Sequence, residues 1–206
     1  MSEPRATAVA VEPVVPGIWR WGVRDDRIAF RSDAYAVGAQ GEAVLIDPLP
    51  LAEEALDSLG PVRAICLTAG NHQRAAWRLR EALGVPVLVP REAHGLEGEP
   101  DAEYAPGDAL PGGLRALDGA GPAFVHCALW LESRRALFLG DLLCREADEG
   151  LAFVPSKHQD DPAGSRQSVG RLLELPVEVV CPSHGLPVTE RGAEAMAEAL
   201  RAGGAG

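Results

Sequence analysis

Apolar residues in this chain fall into short runs separated by helical repeats. Residues 17–21, 34–37, 43–46, 64–67 and 85–89 are continuous or alternating apolar stretches, the pattern of half-buried and fully buried strands. Between them, Leu51, Ala55 and Leu59 recur at helical spacing, as do Ala76, Leu79 and Leu83. Gly84 stops the second of these helices, and Asp47-Pro48 turns the chain at the end of the 43–46 run. Strand and helix alternate here, which predicts a layered α/β arrangement.

The second half opens differently. Residues 114–117, 124–131 and 136–139 read as strands in succession, with Ser133-Arg134-Arg135 as a hairpin turn. Asp161-Pro162 is a helix cap followed by proline at the first helical position, and Val169, Leu172 and Leu173 form that helix's apolar face. Residues 177–181 make another buried strand, Pro182-Ser183-His184-Gly185 a loop, and Ala193, Met196, Ala197 and Leu200 a last helix. Two strand-rich halves, each with helices, predict an α/β fold of two sheets packed face to face with helices outside. We expect one domain over residues 1–206, with 1–12 and 202–206 loose.

Composition narrows the function classes. At 206 residues, 47% hydrophobic and 24% charged, the chain can bury a sizeable core. Nineteen basic residues against 30 acidic ones give a net charge of -11, which disfavours nucleic acid and anionic membrane surfaces as partners. No apolar run approaches a membrane span, and the first residues lack a signal-peptide pattern, so a cytoplasmic location is expected. Cys66, Cys127, Cys144 and Cys181 form no CxxC pair and read as reduced thiols, three of them core filling. There is no P-loop, dinucleotide fingerprint, GxSxG elbow or HExxH motif.

Several segments, in order, resemble the metallo-β-lactamase superfamily, the group that includes hydroxyacylglutathione hydrolases. They are Pro16-Gly17-Ile18-Trp19, Ser32-Asp33-Ala34-Tyr35-Ala36-Val37, Glu42-Ala43-Val44-Leu45-Ile46-Asp47-Pro48, Ile65-Cys66-Leu67-Thr68, Phe138-Leu139-Gly140-Asp141 and Val180-Cys181-Pro182-Ser183-His184-Gly185. The resemblance implies a four-layer αβ/βα sandwich. It also implies a hydrolytic site in which paired zinc or iron ions activate a water.

Ligand by ligand, the resemblance is incomplete. Where the family's HxHxDH motif would fall, this chain has Ala69, Gly70, Asn71, His72, Gln73 and Arg74, with no ligand in place. The next expected histidine is replaced by Ala120. Asp141 and His184 match. Two ligands do not hold a metal pair, and one metal normally takes three protein ligands. A cleft carboxylate without its metal needs another cation, so Arg74, a permanent planar cation, is expected to pair with Asp141, directly or through water.

Three functional readings follow. The first is a degenerate, metal-free binder of a small molecule, hydrolase-like in fold. The second is an ester or thioester hydrolase with a single zinc or iron held by Asp141, His184 and His72. The third is a metal-independent enzyme using Arg74, Asp141 and His184. The pocket is expected between residues 68–74, 119–123, 141 and 184, with residues 144–160 lining it. Asp47 reads as a turn support and His126 as a satisfied sheet residue. Gln73, His94 and His158 read as solvated, and Cys144 as a thiol that would need His184 as its base.

Overall fold

The computed structural model describes residues 2–39, 41–145 and 149–203. Its first sheet contains β1 (Glu12–Val15), β2 (Ile18–Asp25), β3 (Phe30–Ala39), β4 (Glu42–Ile46), β5 (Val62–Cys66), β6 (Val87–Pro90) and β7 (Ala102–Tyr104), hydrogen-bonded in that order. β1 to β4 pair antiparallel, and β4 to β7 pair parallel. The parallel half needs crossovers: α1 (Glu53–Asp57) links β4 to β5, and α2 (Ala76–Leu83) links β5 to β6.

The second sheet has the order β13-β10-β9-β8, built from β8 (Leu114–Asp118), β9 (Cys127–Leu131), β10 (Ala136–Gly140) and β13 (Val179–Pro182). A separate hairpin joins β11 (Leu143–Arg145) to β12 (Leu151–Phe153). α3 (Pro162–Leu172) and α4 (Gly192–Ala202) complete the chain.

Three apolar clusters separate four layers. Leu45 and Ile65 face α1 and α2, packing on Ala55, Leu56, Ala76 and Leu79. Their neighbours Val44, Ile46, Ala64 and Cys66 face the other way and meet Leu129, Phe138 and Cys181 of the second sheet. Leu137, Leu139 and Val180 face outward onto Val169, Leu172, Met196 and Ala199 of α3 and α4. Strands buried on both faces read as unbroken apolar runs, which is why 43–46 and 136–139 show no polar alternation. The four-layer sandwich of two sheets between helices is therefore present.

Some expectations are corrected. Residues 2–12 are tied down: Ala8 bridges Leu51, and Arg78 pairs with Glu3 at 2.7 Å. The strand expected over 124–131 begins at Cys127, and Phe124 is exposed. β7, β11 and β12 are three-residue strands too short to show a period. The helix expected from Leu51 starts at Glu53. α4 continues through Ala202, so the tail expected to be loose from 202 starts inside a helix; residues 204–206 lie outside the described residues. The cap at Asp161 is as expected, its carboxylate accepting from the Gly164 amide. Among the described residues no helix is long and apolar enough to cross a membrane.

Candidate active site

Four loops meet where the strands of the two sheets end. Asp47 follows β4, Thr68 and His72 follow β5, Asp141 follows β10 and His184 follows β13. Asp47 has φ 47°, a left-handed conformation that aspartate tolerates, and its turn aims the carboxylate back at the end of β5. The Thr68 amide donates to Asp47 Oδ1 at 2.7 Å and the Thr68 hydroxyl donates to Oδ2 at 2.6 Å.

His72 closes a single 3-10 turn, Gly70–His72, and is buried between two acids. Its Nδ1 lies 2.9 Å from Asp47 Oδ2 and 2.8 Å from the Thr68 hydroxyl. Its Nε2 lies 2.9 Å from Asp141 Oδ2. Burial alone would lower the His72 pKa; the charges of Asp141 and Asp47 reverse that and raise it to about 9. His72 is thus an imidazolium donating from both nitrogens. In return it holds Asp47 below the usual carboxylate range and Asp141 well below it, against the upward push of burial on each.

A second histidine lies beneath. His126 donates from Nδ1 to the Gly119 carbonyl at 2.8 Å, so its Nε2 carries a lone pair, which accepts from the Asp141 amide at 3.3 Å. Burial and the neighbouring His72 charge push its pKa down to about 4, and it is neutral. The two rings meet edge to face at 6.2 Å. Gly140 makes this approach possible: with φ 55°, a Cβ there would stand 2.2 Å from His126 Nε2.

His184 is held from the other side. Its Nδ1 donates to the Arg31 carbonyl at 2.7 Å. Its Nε2 stands 3.3 Å from Asp141 Oδ1 without the alignment of a hydrogen bond, and Oδ1 has no hydrogen-bond partner among the described residues. The loop carrying His184 is pinned to β3: Tyr35 donates to the Pro182 carbonyl at 2.8 Å, and the Gly185 amide donates to Asp33 Oδ2 at 2.9 Å. Asp33 is fully buried with Arg20 at 3.1 Å, and burial raises its pKa in spite of that partner.

Arg74 is buried with φ 34°, and its Nη1 donates to the carbonyls of Asp33 at 3.2 Å and Asp47 at 3.3 Å. A direct Arg74–Asp141 ion pair is not formed among the described residues; Asp141 meets His72 and His184 instead. A 3-10 helix turns once per three residues. The turn that ends at His72 delivers the imidazole to the carboxylate, while Arg74, two residues on with φ 34°, is turned to the carbonyls of Asp33 and Asp47.

These groups floor a cavity of about 510 Å³. His72, Arg74, Asp141 and His184 all line it, so the sequence-predicted site residues converge. The 119–123 wall does not: Ser168 donates to the Ala120 carbonyl and Gly121 abuts Ser165, so this loop packs on α3. The tip of the β2–β3 hairpin, with Ile28 and Phe30, replaces it. Cys144, Val154, Pro155 and His158 line the cavity, as expected for 144–160. Cys144 is buried like the other three cysteines, and none of the four forms a disulfide. Gln73, expected to be solvated, is buried: its Oε1 accepts from Trp77 Nε1 at 2.6 Å and its amide nitrogen donates to the Gly95 carbonyl. His94 and His158 are exposed.

Asp33 and His126 do more than their sequence context suggests. A lone carboxylate in the apolar run of β3, and a lone histidine at the mouth of β9, are the signals that mark them: a polar group there must find partners.

Comparison with known proteins bears on this arrangement. No curated protein matches the chain. Among solved structures, a metallo-beta-lactamase from Pontibacter korlensis superposes with a TM-score of 0.74 at 20% identity, covering 93% of this chain and 98% of that one. The metallo-beta-lactamase FIM-1 from Pseudomonas aeruginosa in its mono-zinc form gives 0.72 at 15% identity over 100% of both chains. A metallo-beta-lactamase family protein from Thermus thermophilus gives 0.67 at 21% identity, covering 93% of this chain and 81% of that one. At such identities the likeness is one of fold. A sequence-family match described as metallo-beta-lactamase superfamily runs from residue 14 to 202, nearly the whole of the two-sheet sandwich, and the chain belongs to that superfamily.

Proposed function

We propose that this chain is a metal-independent, hydrolase-like member of its superfamily that binds a small molecule in the cavity over Asp141 and His184. One observation carries the reading: His72, ion-paired on both sides, supplies the positive charge between Asp47 and Asp141. A metal would have to displace that ring or share its carboxylate. The donor set does not fit a metal pair. His72 spends both nitrogens on carboxylates, His126 spends its lone pair on the Asp141 amide, and Ala69, Asn71 and Ala120 stand where the resemblance expects histidines. Among the described residues at this floor, Asp141 and His184 are the two that match the resemblance's ligands, fewer than the three protein ligands of a catalytic zinc.

In this reading the chain's own residues bind and orient. His184 is fixed by the Arg31 carbonyl, which sets its Nε2 beside Asp141. Arg74, held by two carbonyls, keeps a permanent positive charge at the floor. A cytoplasmic protein with a small-molecule ligand, and no nucleic-acid or membrane partner, suits the net charge of -11.

A second reading has an observation of its own. The 3.3 Å approach of His184 Nε2 to Asp141 Oδ1 sets two groups able to ligate a metal side by side. If His72 released Asp141, these three would supply a single zinc or iron site for ester or thioester hydrolysis. Metal analysis by plasma mass spectrometry, on untagged protein dialysed against a weak chelator, separates the readings. The first predicts no stoichiometric zinc, iron or manganese, before or after metal is added back. One equivalent, lost on Asp141→Ala or His184→Ala, establishes the second.

A further inference from the structure

Charges taken out of water are normally paired. At this cavity one cation has no acid in contact with it. Asp25 is held by Arg27, with Nε to Oδ1 at 2.9 Å, and Asp141 by His72 at 2.9 Å with His184 Nε2 at 3.3 Å. Arg74 lines the same cavity and is only 4% exposed, yet it forms no ion pair among the described residues. Its Nη1 is spent on the carbonyls of Asp33 and Asp47. The Asp47 carboxylate is taken by Thr68 and His72 and does not line the cavity.

Nε and Nη2 of Arg74 remain. Neither has a hydrogen-bond partner among the described residues, and neither is sealed from solvent as Asp141 Oδ1 and Ser32 Oγ are. These two nitrogens form the side-on fork of a guanidinium, whose parallel N–H bonds fit both oxygens of one carboxylate. Arginines elsewhere in this chain use the fork in that way: Arg80 holds Asp101 with Nε and Nη2, each at 2.7 Å, and Arg27 holds Asp25 with the same pair. The backbone of Arg74, left-handed at φ 34°, is of the strained kind that gathers at ligand sites.

Charge and shape narrow the ligand's class. Three cations line the cavity, Arg27, Arg74 and His72, against two acids, Asp25 and Asp141. One negative charge completes that balance, and an ammonium adds to the excess. Ile28, Phe30, Val154 and Pro155 give the wall an apolar side, with Ile28 and Phe30 exposed at the tip of the β2–β3 hairpin. The volume of about 510 Å³ is within the ordinary range of small-molecule sites.

Building on the metal-independent reading, we propose that the cavity binds an amphipathic monocarboxylate, its two oxygens on the Nε and Nη2 fork of Arg74 and its apolar body against Ile28, Phe30 and Val154. The test uses three probes with one body and different heads: phenylbutanoate, phenylbutylamine and phenylbutanol. Each is titrated calorimetrically into chelator-treated protein. The acid is expected to bind at least about tenfold more tightly than the alcohol, the low end for hydrogen bonds to a charged group, and the amine most weakly. In Arg74→Met, with its fold checked by near-UV circular dichroism, acid and alcohol should bind alike. Ile28→Glu alters an exposed side chain, so it keeps the test open if Arg74→Met does not fold; it should weaken the acid more than the alcohol. An alcohol or amine that binds as tightly as the acid overturns the proposal, as does binding of none of the three. So does an acid preference that survives in folded Arg74→Met, or an Ile28→Glu variant that weakens acid and alcohol equally. Each of those results on metal-free protein leaves the metal-independent reading standing. Acid binding that appears only after zinc is added overturns both.

Discussion

Replacing His72 by alanine is expected to cost about 3–5 kcal/mol of folding stability, the usual penalty for removing one partner of a buried ion pair. The loss comes from what the ring leaves behind. Asp47 is buried and Asp141 half-buried, and one imidazolium lies 2.9 Å from each. Without it, Asp47 retains the amide and hydroxyl of Thr68, but Asp141 Oδ2 loses its hydrogen-bond donor and two like charges share one buried space. Against a typical total stability of about 5–15 kcal/mol the loss is large. The origin of the loss can be checked by removing a charge as well. In the Asp141→Asn background the same His72→Ala change should cost roughly half as much, since only one acid is stranded. Urea unfolding of the two single variants and the double variant measures this. A cost for His72→Ala below about 1 kcal/mol would mean that the ring does not balance the acids.

The second large effect is on pH dependence. His72 is raised from 6.5 to about 9, so between those values the folded chain holds a proton that the unfolded chain has released. Stability from this group is complete below pH 6.5 and is lost as pH rises through about 9, a fall on the order of 3 kcal/mol. The buried thiols Cys66 and Cys127, pushed up to about 12 from 9.0, begin to add their own loss as pH nears 9, so the fall between pH 6.5 and 8.5 belongs to His72. On the acid side the sign reverses. His126 is lowered from 6.5 to about 4, so the unfolded chain takes up a proton in that interval that the folded chain refuses, and stability falls as pH drops. Asp47 and Asp141, both lowered from 3.8, extend the acid loss below that. The unfolding free energy should therefore peak near pH 6.5 and decline on both sides. Denaturant titrations at pH 6.5, 7.5, 8.5 and 9 should show the alkaline decline in the wild type and a flat line in His72→Ala. A wild-type profile flat over that range contradicts the assignment of charge to His72.

The layers were legible in the sequence because burial on both faces leaves unbroken apolar runs such as Ala136–Gly140, and because α2, ended by Gly84, carries one apolar face. The three-residue strands at Ala102–Tyr104, Leu143–Arg145 and Leu151–Phe153 were not, since nothing so short shows a period. At the site, Asp141, His184, Arg74 and His72 could be named from their order along the chain and the loops that carry them. Their pairing could not. It depends on a single 3-10 turn that ends at His72 and on the left-handed backbone of Arg74 two residues on, and neither leaves a local pattern. The wall of the cavity escaped for a similar reason: Ser168 and Ser165 draw residues 119–123 onto α3, a contact between segments far apart in the chain that no local pattern records. His126 reads as an ordinary strand residue until the left-handed turn at Gly140 brings the Asp141 amide onto its ring.

The site is organised around His72 as the cation between Asp47 and Asp141. Nitrogen-15 NMR of the histidine side chains, on chelator-treated protein at pH 7.5, tests it most directly. One of the five rings should have both nitrogens protonated and should lose a proton only near pH 9, and that signal should vanish in His72→Ala. Added zinc should leave it unmoved. A neutral ring at pH 7.5, or one whose nitrogen shifts when zinc is added, would contradict the account.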